Sequence, residues 1–122
     1  HIKAILDTNF LLIPGKFKID IFLELKKLGV TSVYTLDNVI KELENLSRRK
    51  GSVPRNSKLA LKLIKEKEVN ILKSKEKQVD RELLRLGANC IICTQDKELI
   101  EQLKKQKAEI IYLRQKKYLV RL

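Results

Sequence analysis

Carboxylates stand at four places in this chain where their chemistry could combine. Asp7 ends the apolar stretch Ile2-Lys3-Ala4-Ile5-Leu6, and the turn-prone pair Thr8-Asn9 follows it. Asp96 leaves a second apolar stretch in the same way, through Thr94-Gln95-Asp96, with Glu98 two residues on. Asp80 lies in Val79-Asp80-Arg81-Glu82-Leu83-Leu84, and Glu42 and Glu44 lie in Val39-Ile40-Lys41-Glu42-Leu43-Glu44. Carboxylates brought together repel one another and call for a cation. Oxygen donors without His or Cys suit Mg²⁺ or Mn²⁺. One or two such ions would bind a phosphodiester and activate a water, and a pair about 4 Å apart could stabilise both the attacking and the leaving oxygen.

The elements that would position these acids follow from hydrophobic period. Residues 2–6 read as a strand ended by Asp7. Leu11 to Gly15 reads as an apolar loop closed by the Pro14-Gly15 turn signal. Ile19 to Leu28 carries a helical pattern that Gly29 ends. Val30 to Thr35 reads as a second strand, and Leu36 to Leu46 as a helix with a clean apolar stripe. Glu42 and Glu44 flank that stripe on opposite sides, and periodicity does not choose between them. A third helix begins near Pro54, and Val69 to Leu72 is a short third strand. Glu76 to Leu86 reads as a fourth helix. Asp80 falls inside its stripe of Val79, Leu83 and Leu86, with Leu84 at one edge, and Glu76 shares the Asp80 row. A carboxylate held against a core is costly unless paired or bound to a cation. Cys90 to Cys93 is the fourth strand, Asp96 to Gln106 the fifth helix and Glu109 to Leu113 the fifth strand, and the tail could add a short edge strand. Alternating strands and helices mean βαβ units around a parallel sheet, with ligands at the carboxyl ends of its strands.

The 122 residues fit one domain, spanning 1–122, and 43% hydrophobic content supports a core. A formal net charge of +12 and a pI near 9.8 point to a polyanionic partner, most simply nucleic acid. No run approaches the ~18 apolar residues of a membrane span. Asp7 interrupts the only early apolar stretch, so no signal peptide and a cytoplasmic location are expected. The chain has no Met, so His1 is read as not a natural start and is set aside. Cys90 and Cys93 have the spacing of a redox pair. In a strand they would face opposite ways, and no further Cys exists to complete a zinc site, so both are expected as buried, reduced core thiols.

Taken in order, Ile5-Leu6-Asp7-Thr8-Asn9, Val39-Ile40-Lys41-Glu42-Leu43, Val79 to Leu84 and Thr94-Gln95-Asp96-Lys97-Glu98-Leu99 resemble the PIN-domain ribonucleases over nearly the whole chain. The resemblance implies a three-layer α/β/α fold with a five-stranded parallel sheet in the order 3-2-1-4-5. It implies that Asp7, Glu42, Asp80 and Asp96 surround one Mg²⁺ or Mn²⁺ site, and it selects Glu42 over Glu44. Asn9 and Thr94 match supporting polar positions, and Glu98 an additional acid of some members. Ile110 to Tyr118 looks most like the archaeal form of the branch that processes small-subunit rRNA. Where that branch often has a second adjacent Asp, this chain has Arg81, which leaves the number of metals open. The toxin branch of toxin–antitoxin pairs shares the same acids, so the implied partners are rRNA with ribosome-assembly factors, or an antitoxin. Dimerisation is common for the fold, and the loop at Leu11 to Ile13 could contribute to a homodimer.

Arg48, Arg49, Lys50, Arg55 and Lys58 form one acid-free basic stretch, and Arg114, Lys116, Lys117 and Arg121 another. With so few aromatics, RNA binding should rest on the backbone and fall steeply with salt. The rival readings are a silent RNA-binding module of the same fold and a receiver or phosphotransferase domain. Asp7-Thr8-Asn9 supplies neither the paired acids of receivers nor the Asp-x-Asp of aspartyl phosphotransferases, and no P-loop is present.

Overall fold

The computed structural model describes residues 3–122, so Ile2 and His1 lie outside the described residues. The strand predicted at 2–6 is β1, Lys3–Leu6. The remaining strands are β2 (Ser32–Leu36), β3 (Asn70–Leu72), β4 (Ile91–Cys93), β5 (Ile110–Arg114) and β6 (Tyr118–Arg121). The helices are α1 (Thr8–Leu11), α2 (Ile13–Phe17), α3 (Ile21–Lys27), α4 (Asp37–Leu46), α5 (Val53–Glu66), α6 (Val79–Leu86) and α7 (Lys97–Lys105).

The sheet order is β3-β2-β1-β4-β5-β6. The first five strands are parallel and keep the expected order. The sheet is nevertheless six-stranded, because the tail turns back as β6, antiparallel to β5. The chain steps one way from β1 to β3, then reverses and steps the other way from β4 to β5. Right-handed crossovers therefore put α3 to α5 on one face and α6 and α7 on the other. The reversal falls between β1 and β4, where open α/β sheets form their binding crevice. Asp7 N–H donates to the Cys93 carbonyl at 2.9 Å, which fixes the ends of these two strands together.

Two expectations need correction near the start of the chain. Leu11 to Gly15 is no loop: it is the end of α1 and the start of α2. Asp7 has extended backbone and caps α1, its Oδ1 accepting from Thr8 N–H. Pro14 is tolerated in the first turn of α2. Gly15 is needed for closeness rather than for a turn. A Cβ there would lie 2.5 Å from Asn56 Oδ1 and 2.9 Å from Asn56 Cα, so α2 packs directly on α5. The second correction is that α3 starts at Ile21, because Asp20 caps it by accepting from Phe22 and Leu23 N–H.

The core is built from Ala4, Ile5 and Leu6 of β1, Ile91, Ile92 and Cys93 of β4, and helix residues such as Val39, Leu43, Leu83 and Leu99. Cys93 is fully buried and burial pushes its thiol far up, so it stays protonated. Cys90 departs from expectation: it precedes β4 and is only half-buried.

Candidate active site

The carboxyl ends of β1 and β4 carry the first two acids. Asp7 is 5% exposed, and both its oxygens are engaged: Oδ1 by Thr8 N–H and Oδ2 by the Thr94 hydroxyl, each at 2.7 Å. Thr94 Oγ1 also accepts from Asp96 N–H at 3.2 Å. Asn9 Oδ1 accepts from Gln95 N–H at 3.0 Å, and Gln95 in turn exchanges two hydrogen bonds with the Leu113 backbone. Thr94 and Asn9 thus tie β1, β4 and β5 together beneath the acids. Asp96 is the N-cap of α7 rather than a first-turn acid. Its Oδ1 accepts from Glu98 and Leu99 N–H.

Asp7, Glu42, Asp80 and Asp96 line one recess of about 170 Å³, together with Thr8 and Asn9. Glu44 does not line it. Burial pushes the Asp7 carboxyl up to about 6; the Thr94 and Thr8 hydrogen bonds oppose this, and the charges of Asp80 and Glu42 add to it. Glu42, at the rim, is raised by partial burial and by Asp80, against the nearby Thr8 hydroxyl, which favours the ionised form. Asp80 is raised by partial burial and then by Asp96 and Glu98. The Thr8 hydroxyl is buried, yet it makes no hydrogen bond of full geometry to any described residue. Glu98 itself is exposed outside the recess, close enough only to repel Asp80.

Asp80 reaches the recess from a different position than its apolar stripe implies. Its helix begins at Val79, not Glu76, so Asp80 sits in the first turn and is exposed, and Glu76 belongs to the preceding loop. The buried acid of α6 is Glu82, which turns away from the recess to pair with Arg85.

A divalent ion fits this donor set. The donors are all oxygen, and three of the acids hold raised pKa values that a cation would relieve. Among the described residues no three acids already stand at the spacing of one coordination shell. An ion held there would keep several of its waters, as Mg²⁺ does.

The basic residues divide. Arg48, Arg49, Lys50, Arg55 and Lys58 are exposed on the turn after α4 and on α5. Lys116 and Lys117 form the β5–β6 turn, and the Lys116 ammonium lies 5.9 Å from the Phe17 ring centre. Arg121 leaves the second stretch: it pairs with Glu109 at the opposite end of the sheet, beside a separate cavity of about 490 Å³. Sequence reading misses a groove of about 550 Å³ that adjoins the acid recess and is lined by Lys41, Asn45 and Lys77. The only signal for it is the basic run around Lys73, Lys75 and Lys77.

Thr94→Val keeps the shape of this buried side chain and removes its hydrogen bonds to Asp7 and from Asp96. Affinity of the recess for Mn²⁺ should fall about 10–100-fold, the range of outer-shell changes. Losing a donor to the carboxylate should also raise the pH at which the ion begins to bind. Binding of unchanged strength and pH dependence would contradict this role.

A model of the PIN like domain family matches residues 4–116. Ribonuclease VapC4 of Methanocaldococcus jannaschii is 32% identical over 123 residues, covering 95% of this chain and 93% of that protein. Among solved structures, the PIN domain endonuclease Utp24 superposes with a TM-score of 0.78 at 25% identity, covering 98% of this chain and 92% of that one. A domain of a functionally unknown protein from M. jannaschii superposes with a TM-score of 0.66 at 18% identity, covering 93% and 92%.

Proposed function

The chain belongs to the PIN-like domain family, and we propose that it is a Mg²⁺- or Mn²⁺-dependent endoribonuclease. The observation that carries this is the meeting of Asp7, Glu42, Asp80 and Asp96 in one recess, three of them raised by burial and by one another. Asp7, Glu42, Asp80 and Asp96 hold the ion. When bound, it supplies Lewis acidity and water activation near neutral pH. Thr94 and Asn9 hold Asp7 and the β4–α7 turn in register. The surrounding basic residues take the RNA backbone by charge, which positions the strand without reading its sequence. Two relatives named as a ribonuclease and an endonuclease support the reaction class.

The first substrate to try is small-subunit rRNA, on the likeness of the segment from Ile110 to Tyr118. A small-subunit rRNA fragment closed into a circle tests the proposal, because only an internal cut opens it. Linear product with Mg²⁺ or Mn²⁺, carrying a 5′-phosphate and a 3′-hydroxyl and lost in EDTA, is the expected result. A circle that survives with either metal, or opens equally in EDTA, would overturn the reading for that RNA.

A further inference from the structure

We infer that the groove between α4 and the loop of residues 73–78 seats the RNA backbone on one side of the cleavage point, with Lys41 and Lys77 as its phosphate contacts. The inference rests on the nuclease reading and extends it to a specific strand path.

The groove is continuous with the acid recess, since Glu42, Val79 and Asp80 line both. Asn38, Lys41 and Asn45 stand at helical spacing along one side of α4 and form one wall. Lys77 and Gln78 form the other. Both lysines are exposed and neither joins an ion pair among the described residues. Asn45 Oδ1 also accepts from Arg48 Nη1 at 3.0 Å, so a cation of the turn after α4 lies one hydrogen bond from the groove wall.

The loop wall is held unusually firmly for a lysine-rich surface segment. Asp37 Oδ1 accepts from Ser74 N–H at 2.9 Å and from the Ser74 hydroxyl at 2.6 Å. Asn38 Nδ2 donates to the Glu76 and Lys77 carbonyls at 2.9 and 3.0 Å. Buried Glu82 accepts from Lys75 and Glu76 N–H. The backbone beneath Lys77 is therefore fixed before any ligand arrives, so a phosphate contact orders only the side chain. Among the described residues, no aromatic side chain lines the groove. Recognition is then of phosphates and ribose rather than of stacked bases. The cations beside the acids also offset the repulsion a phosphodiester meets on approaching them.

The test compares wild type, the double variant Lys41→Ala/Lys77→Ala, and Lys104→Ala/Lys105→Ala, which removes the same charge at the last turn of α7. Cleavage is followed with a fluorescently labelled rRNA fragment. Binding of that fragment is followed separately by anisotropy across a KCl series. The groove variant should raise KM about tenfold with little change in kcat. Its log–log salt slope should be shallower by about 1.4, the value for two single-strand phosphate contacts. The α7 variant should match wild type in both. Equal effects of the two double variants, or none from the groove pair, would overturn the inference and leave the nuclease reading standing if wild type cuts. If wild type binds without cutting, the anisotropy slopes still decide the groove.

Discussion

Asp7→Asn lowers RNA cleavage by more than the ~10–100-fold of an outer-shell change, because it removes the most buried acid of the recess itself. The fold should survive. The amide introduced by this substitution can still accept from Thr8 N–H, and its NH₂ can donate to Thr94 Oγ1, from which the wild-type carboxylate instead accepts. Stability then separates a catalytic loss from unfolding. The Asp7 carboxyl sits at about 6 in the folded chain against an ordinary 3.8. A raised folded pKa means that the native state holds the proton more tightly. The stabilisation is fully present below about 4 and is lost as pH rises through 6, a swing of about 3 kcal/mol. In EDTA, thermal melts of wild type should fall over that window, and Asp7→Asn should flatten the fall. Adding Mn²⁺ at neutral pH should raise the wild-type Tm and leave the variant nearly unmoved. A variant with wild-type cleavage, or wild-type melts flat between pH 4 and 7, would contradict this role of Asp7.

Glu82→Ala has the largest expected effect on stability. Glu82 is 1% exposed and takes four hydrogen bonds: two from the Arg85 guanidinium, at 2.9 and 2.8 Å, and one each from Lys75 and Glu76 N–H. Truncation strands the two N–H groups and releases the loop of residues 73–78. Arg85 is partly exposed and can hydrate, which limits the cost to about 3 kcal/mol, or roughly 10 °C in Tm. The sign with pH is opposite to that of Asp7. Arg85 holds the Glu82 carboxyl down at about 2, so its stabilisation is present above the ordinary 4.5 and is lost as pH falls towards 2. The gap between wild type and Glu82→Ala should therefore close on acidification. A gap that persisted at pH 2 would show that packing, not the ion pair, carries the effect. The same variant should raise KM for RNA, because it loosens the wall that carries Lys77.

Short-range pattern is the part of this fold that the sequence makes legible. Asp7 and Asp96 are visible because each follows a run of apolar residues and is itself the turn residue. Strand order is not visible in the pattern; it comes from the family resemblance, and the pairing of β1 with both β2 and β4 bears it out. The Pro14-Gly15 pair misleads, because its glycine serves a contact with Asn56, 41 positions away, that no local rule contains. Asp80 stands out in the pattern for a reason the structure does not support. Counting Leu84 as an edge widens the apparent stripe to take in Asp80, whereas the buried face of α6 runs through Glu82 and Leu83 and leaves Asp80 exposed. Glu82 is hard to recognise as the buried acid because two of its four hydrogen bonds come from Lys75 and Glu76, in a loop that doubles back on α6 and that periodicity merges in part with the helix. The groove is hidden for a related reason: Asp37 and Asn38 act on a segment 37 to 39 residues further on.

Calorimetric titration of Mn²⁺ at pH 7.5 into wild type and Asp7→Asn asks most directly whether the acid recess is a divalent-cation site. Saturable binding to wild type, with at least tenfold weaker binding to Asp7→Asn, is the predicted result. Absence of binding to wild type, or binding of equal strength to both proteins, would contradict it.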